Sequence, residues 1–179
     1  KWPKHVAVRT FLKLAARVPS GLLERELFLS CVCSEERMEK NLVFARSLAV
    51  SSIAGHVVGL GDRHLDNILL DLKTGTVMHV DLSIAFGRGM YSLKVPEVVP
   101  FRLTQVLRGA LGISREDGVF RAACEASLRA IMLGEELVTS LVEHTESICW
   151  KDSSQRGGIR HRTRSEEVAI RVTGKLRYP

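Results

Sequence analysis

The sequence predicts an α+β fold that is mostly helical, with a short β-hairpin at its functional loop, and three observations predict it. Residues about 35–58 form the longest apolar pattern: Leu42, Ala45, Ala49, Ile53 and Val57 recur at helical spacing. Beyond it, Ile68-Leu69-Leu70 and Thr76-Val77-Met78-His79-Val80 are short β-prone runs flanking Asp71-Leu72-Lys73-Thr74-Gly75, whose Asp and Gly carry turn chemistry. After Pro100 the pattern is helical again.

Taken in order, residues about 3–17 carry Val6, Val8, Phe11, Leu12, Leu14 and Ala15 and read as a helix that Pro19-Ser20-Gly21 breaks. Leu22 to Cys31 is a short second helix. The long helix of 35–58 should be largely buried and should deliver the chain into the loop after it, with His56 packed or capping. The hairpin then folds the chain back, so that Asn67 and Asp81, at its two bases, become neighbours. Val95-Pro96 and Val99-Pro100 keep the next segment extended, because a residue before proline is pushed out of the helical region. Helices are expected near 102–110, 117–133 and 135–149, with Asp117 as an N-cap and Gly134 as a stop. The chain shows no internal repeat.

A chain of 179 residues with 45% apolar content suits one domain with a sizeable core. It contains no run of eighteen apolar residues, so no membrane span is expected, and its start has neither signal-peptide nor transit-peptide character. Cys31, Cys33, Cys124 and Cys149 lack metal-clamp spacing, since Cys31-x-Cys33 is tighter than zinc pairs use. Reduced, mostly buried thiols in an intracellular protein are the expectation. The net charge of +6 is uneven: residues 151–179 hold eight Lys/Arg against three acids. That segment, with Ser153-Ser154 and Gly157-Gly158, reads as a flexible basic tail (150–179) behind a domain of residues 1–149. Such a tail could bind RNA or an acidic partner by counterion release, or be a solvated segment only.

The chemistry concentrates in Gly59-Leu60-Gly61-Asp62-Arg63-His64-Leu65-Asp66-Asn67, followed by His79-Val80-Asp81. Phosphoryl-transfer enzymes use a loop Asp to take the acceptor hydroxyl's proton, an Asn five positions on, and a second Asp beyond a hairpin to hold metal ions. Asp62, Asn67 and Asp81 reproduce that spacing. Mg²⁺ takes oxygen ligands, keeps several waters and uses one or two carboxylates plus phosphate oxygens, which one Asn and one Asp satisfy. Arg63 reads as a residue that fixes the loop through backbone or carboxylate bonds, and His79 as a strand or packing histidine.

Gly-Leu-Gly-Asp-Arg-His-x-x-Asn, then His-Val-Asp, then Val95-Pro96-Glu97-Val98-Val99-Pro100-Phe101-Arg102-Leu103-Thr104 resembles the phosphoinositide-3-kinase-related protein kinases, over residues from about 2 to 133. Among its branches the likeness is to the SMG-type kinases of nonsense-mediated mRNA decay. The residues behind that choice are the loop itself, Ala45-Arg46-Ser47-Leu48-Ala49-Val50 and Ser92-Leu93-Lys94-Val95-Pro96-Glu97. The resemblance implies the C-terminal lobe of a protein-kinase-like catalytic domain that uses ATP with Mg²⁺ or Mn²⁺. It implies Asp62 as the catalytic base or hydroxyl-orienting acid, His64 beside the transferring phosphoryl group, and Asn67 and Asp81 as metal and cofactor ligands. Residues from about 82 to 100 would form the activation loop, with Pro96, Glu97 and Pro100 meeting a protein substrate. That substrate is a Ser or Thr followed by Gln, on an RNA helicase of mRNA decay if the branch holds, in the cytoplasm, the nucleus or both.

Leu82-Ser83 replaces the Phe-Gly that follows the metal Asp in other kinases, and Gly87 stands where glutamine-directed relatives carry Glu. The Gly-rich loop and phosphate-binding Lys of an N-terminal lobe are not found, so a fragment or truncated product with little transfer activity of its own is expected. Two alternatives stay open: a phosphoinositide lipid kinase, disfavoured because Arg88 and Lys94 are the loop's only basic residues before Pro100, and a non-catalytic scaffold.

Overall fold

The computed structural model describes residues 3–89, 93, 97, 99–151, 168 and 170–175. Its axis is α3 (Ser34–Val58), preceded by α1 (Lys4–Ala15) and α2 (Leu22–Leu29). A 3-10 turn (Leu65–Asn67) leads into the antiparallel strands β1 (Ile68–Leu70) and β2 (Val77–His79). After the loop come α4 (Gln105–Ala110), a second 3-10 turn (Arg115–Asp117), α5 (Val119–Leu133) and α6 (Glu135–Lys151). The mostly helical α+β fold with one hairpin is therefore as the sequence predicts.

Glu35 and Glu36 in the first turn of α3 favour its start, where the helix dipole is positive. Gly59 ends the helix in the left-handed region (φ 66°), and a Cβ there would stand 2.5 Å from the Gly87 nitrogen, so glycine serves both the turn and the close approach. By length and composition alone α3 could cross a bilayer. Phe44, Ala45, Leu48, Ala49, Ile53 and Val57 are instead buried against protein, with Phe44 and Leu48 fully enclosed. Leu27 of α2, Val77 of β2, Leu107 and Ala110 of α4 and Phe120 of α5 complete the main core. Phe101 tilts against Phe120 at 6.3 Å between ring centres.

The hairpin is bolted to α3 by polar as well as apolar contacts. Ser47 Oγ accepts the Val77 N–H at 2.9 Å and donates to Val43 O at 2.8 Å. Ser47→Ala should leave the Val77 N–H unpaired and lower stability by about 1–2 kcal/mol, read as a shift in the urea-unfolding midpoint. At the turn, Gly75 (φ 79°) lies so close to Lys40 O that a Cβ would stand 2.6 Å away. Lys40 is itself buried, donating to Ser30 O at 2.8 Å and pairing with Glu36 at 3.0 Å.

Two local readings differ from the structure, and a third element forms as expected without a covered face. Gly118, not Asp117, precedes α5; Asp117 belongs to the 3-10 turn and pairs with Arg121 one helical turn on, at 2.7 Å. α1 forms where the sequence places a helix, although none of its residues is buried and Phe11, Leu12 and Leu14 are exposed. Cys33 is exposed at the start of α3 rather than buried, while burial raises the Cys124 thiol to about 11. Gly134 ends α5 as expected.

Most of the expected tail, 152–167, lies outside the described residues. Within it, 170–175 are helical. Val168 and Val172 are buried in a second cluster with Val57 of α3 and Val142 of α6. Lys175 Nζ donates to His56 O at 2.5 Å, a carbonyl in the last turn of α3 that also accepts the Gly59 N–H.

Candidate active site

Gly59 turns the chain out of α3, and a short backbone ladder then holds the loop. Phe86 N–H donates to Val58 O, Gly87 N–H to Gly59 O and Gly61 N–H to Ile84 O, at 2.8, 2.8 and 2.7 Å. Residues 84–87 thus lie alongside 58–61, and the chain between them forms a closed excursion carrying Asp62, His64, Asn67 and Asp81.

Within it, Arg63 is the organising residue. It is buried, and its guanidinium donates to four carbonyls: Gly61 O at 2.8 Å, Asn67 O at 3.5 Å, Val80 O at 2.6 Å, and Asp81 O. A planar fork with five N–H donors suits this task as an ammonium does not. It ties the loop on one side of the hairpin to the chain leaving the other side. The expectation that Arg63 fixes the loop is met in full. Burial lowers its pKa, and the carboxylates of Asp81, Asp62 and Glu97 oppose that shift.

The hairpin register pairs Ile68 with His79, and Val80 N–H donates to Asn67 O at 3.1 Å, so the bases meet as predicted. Asn67 is buried, and its side-chain nitrogen donates to Asp62 O at 2.9 Å, linking two of the expected site positions directly. Asp62 and Asp81 both adopt left-handed backbone conformations, at φ 57° and 56°. Asp tolerates this region better than most residues, and such conformations gather at functional sites when their surroundings enforce them. Hydrogen bonds from Ser83, its side chain first and its backbone N–H second, hold the exposed Asp81 carboxyl below its ordinary value. It is an ionised, accessible oxygen donor. With the Asn67 amide oxygen it offers the hard ligands that a divalent cation prefers. Among the described residues no group of three or more His, Cys, Asp or Glu forms an all-protein metal cage.

His64 is half-exposed between two carboxylates, Nε2 3.9 Å from Asp62 and Nδ1 3.7 Å from Asp66. Those separations exceed hydrogen-bond length, so the ring is loosely held between the two carboxylates.

His79, the last residue of β2, buries both ring nitrogens without a partner. Burial, and then the charge of Arg63, lower its pKa. Its folded-state value lies below its unfolded one, so the unfolded chain takes up the proton first. The stability at stake is whole above the ordinary histidine range and is lost as pH falls below it. His56 is lowered too, by burial and by Lys175, and adds to the same window. The urea midpoint should therefore fall between about pH 7.5 and 5.5, and His79→Leu should flatten that slope.

Of the residues expected to meet substrate, Pro96 lies outside the described residues. Pro100 is exposed, and its carbonyl takes a hydrogen bond from His56. Glu97 turns inward: its carboxylate accepts the backbone N–H groups of Asp62 at 2.9 Å and Arg63 at 3.4 Å. Two successive N–H groups beside a left-handed residue make a cradle for an anion, and a charged acceptor satisfies both. Sequence reasoning missed this contact because it spans thirty-five positions; the flanking Gly61 and Gly89, which leave space for the carboxylate, are the trace it leaves.

Residues 3–151 match the family model described as phosphatidylinositol 3- and 4-kinase. The chain is 39% identical over 159 residues to the probable serine/threonine-protein kinase smg1 of Dictyostelium discoideum, covering 87% of this chain and 7% of that protein. It is 42% identical over 142 residues to the serine/threonine-protein kinase SMG1 of Danio rerio, covering 79% of this chain and 4% of that one. A solved structure described as the FAT and kinase domain of CtTel1 superposes with a TM-score of 0.82 at 30% identity, covering 98% of this chain and 12% of that one. The chain therefore spans less than a tenth of the length of these curated relatives.

Proposed function

Because this chain belongs to the phosphatidylinositol 3- and 4-kinase family, we propose that it is the catalytic lobe of an ATP-dependent serine/threonine protein kinase of the SMG type. The observation that carries the reading is the convergence of Asp62, Asn67 and Asp81 at the hairpin bases, through the bonds of Arg63 to the carbonyls on both sides. Relatives named as protein kinases favour a protein acceptor over a phosphoinositide.

In this reading Asn67 and the Asp81 carboxylate would hold Mg²⁺ or Mn²⁺, which would offset the negative charge of the phosphate groups. The Asp62 carboxylate orients the acceptor Ser or Thr hydroxyl and receives its proton. His64, half-exposed beside Asp62, donates toward the group being transferred. The Arg63 fork and the ladder from Ile84 to Gly87 keep these groups in place, which is where most of the catalytic effect of such an enzyme arises.

We assign the acceptor as Ser or Thr followed by Gln, on an RNA helicase of mRNA decay. Gly87 offers no side chain to receive the Gln amide, so selectivity must come from elsewhere in the activation loop. The basic tail is assigned a weak RNA-binding role. The proposal places the protein in the cytoplasm, the nucleus or both, where thiols such as Cys33 stay reduced.

The test is an assay of the complete kinase polypeptide with ATP and Mg²⁺ on Ser-Gln and Ser-Ala peptides and on phosphoinositide vesicles. Peptide transfer with preference for Ser-Gln is expected. Transfer to vesicles alone would reverse the acceptor class, and none to either would remove the kinase reading.

A further inference from the structure

We infer that Glu97 is a positioning residue, a latch by which the activation segment sets the backbone geometry of Asp62, and not a contact for substrate. The inference rests on the kinase reading for its catalytic consequence, although the latch itself is a matter of geometry.

Asp62 sits at φ 57°, a conformation that a non-glycine residue keeps only when its surroundings hold it. On the downstream side, Asn67 Nδ2 grips Asp62 O and Arg63 grips Gly61 O. Those bonds fix carbonyls. The N–H groups of Asp62 and Arg63 point the other way, and both go to Glu97. Glu97 is thus the acceptor that completes the hydrogen bonding of this turn.

The site is shaped for a carboxylate at that spot. A Cβ on Gly61 would stand 2.8 Å from Glu97 Oε2, and one on Gly89 would stand 2.7 Å from the same atom. The carboxylate is enclosed by two glycines from two different segments, and any larger residue at either would displace it. Arg63 lies close enough for its charge to be felt by Glu97. Both oxygens are engaged by these donors.

When Glu97 is displaced, the two N–H groups lose their acceptor and Asp62 is released from the left-handed conformation. The placement of Glu97 is thereby converted into the orientation of the Asp62 carboxylate.

Two measurements test this. In the complete kinase, Glu97→Gln preserves size but presents an NH2 group to one of the two N–H donors. The latch predicts a fall in kcat of about thirtyfold with the peptide KM held within about twofold, and partial recovery in Glu97→Asp. A rise in KM at unchanged kcat would identify Glu97 as a substrate contact and overturn the inference. In the 179-residue chain itself, amide hydrogen exchange needs no kinase activity. Glu97→Gln and Gly89→Ala should each speed exchange of residues 60–67 by about tenfold and leave α3 unchanged. Unchanged exchange in both variants overturns the latch even if the kinase reading stands, and faster exchange without loss of kcat removes its catalytic role. If the parent kinase transfers nothing, the functional reading falls and the exchange result still decides the latch.

Discussion

Replacing Asp81 or Asp62 by Asn in the complete kinase should lower kcat by about three orders of magnitude while leaving the unfolding transition almost unchanged. Asn is the informative choice. Both positions are left-handed, at φ 56° and 57°, a region that Asn tolerates as Asp does, whereas Ala would add backbone strain and confuse loss of chemistry with loss of structure. In Asp81→Asn the amide oxygen could still bond Ser83, but no negative charge would face a metal. Asp62→Asn would keep the backbone N–H bond to Glu97, but the new amide could not receive a proton. Thermal unfolding of the 179-residue variants beside turnover of the complete enzyme separates the two effects. Turnover within about tenfold of the parent for either variant would take that residue out of the mechanism.

Arg63→Leu should instead act on the fold. Four carbonyls, from Gly61, Asn67, Val80 and Asp81, would lose their donor in a place that leucine makes less accessible to water. Stranding buried acceptors costs about 1–3 kcal/mol each when no water reaches them, and partial rehydration brings the expected total to about 3–5 kcal/mol. Arg63→Lys should recover less than half of this, because a point ammonium cannot reach both sides of the hairpin. Urea unfolding of the 179-residue chain measures it. A loss below about 1 kcal/mol for Leu would mean that water replaces the guanidinium and that the hairpin bases are held by their own ladder.

How much of this was legible in the sequence follows the distance over which each feature is encoded. The long helix shows in its repeat of Leu42, Ala45, Ala49, Ile53 and Val57, and the hairpin in two β-prone runs about a turn. The neighbourhood of Asn67 and Asp81 followed from the hairpin alone. What stayed hidden was set by contacts across the chain. The resemblance put Glu97 among the residues that meet substrate, and nothing local says that its carboxylate turns back to Asp62. Val168 and Val172, one helical turn apart, join the second cluster, but their apolar signal is diluted by the basic residues around them. In α1 the sequence showed an apolar face, and periodicity cannot tell whether a partner covers it. Asp117 has the composition of a cap, yet the extra 3-10 turn moves the helix start one residue beyond it.

The ladder between residues 58–61 and 84–87 also bears on the order in which the molecule assembles. All the contacts that bring Asp62, Asn67 and Asp81 together lie within one stretch of about thirty residues, joined at its neck by Gly61 and Ile84. Short separations cost little loop-closure entropy and form quickly, while the bond to Glu97 must await a longer closure. The neighbourhood of Asn67 and Asp81 should thus appear early in folding, and the orientation of Asp62 late. A chain emerging from the ribosome would hold Asn67 and Asp81 in register before the bond to Glu97 could set Asp62.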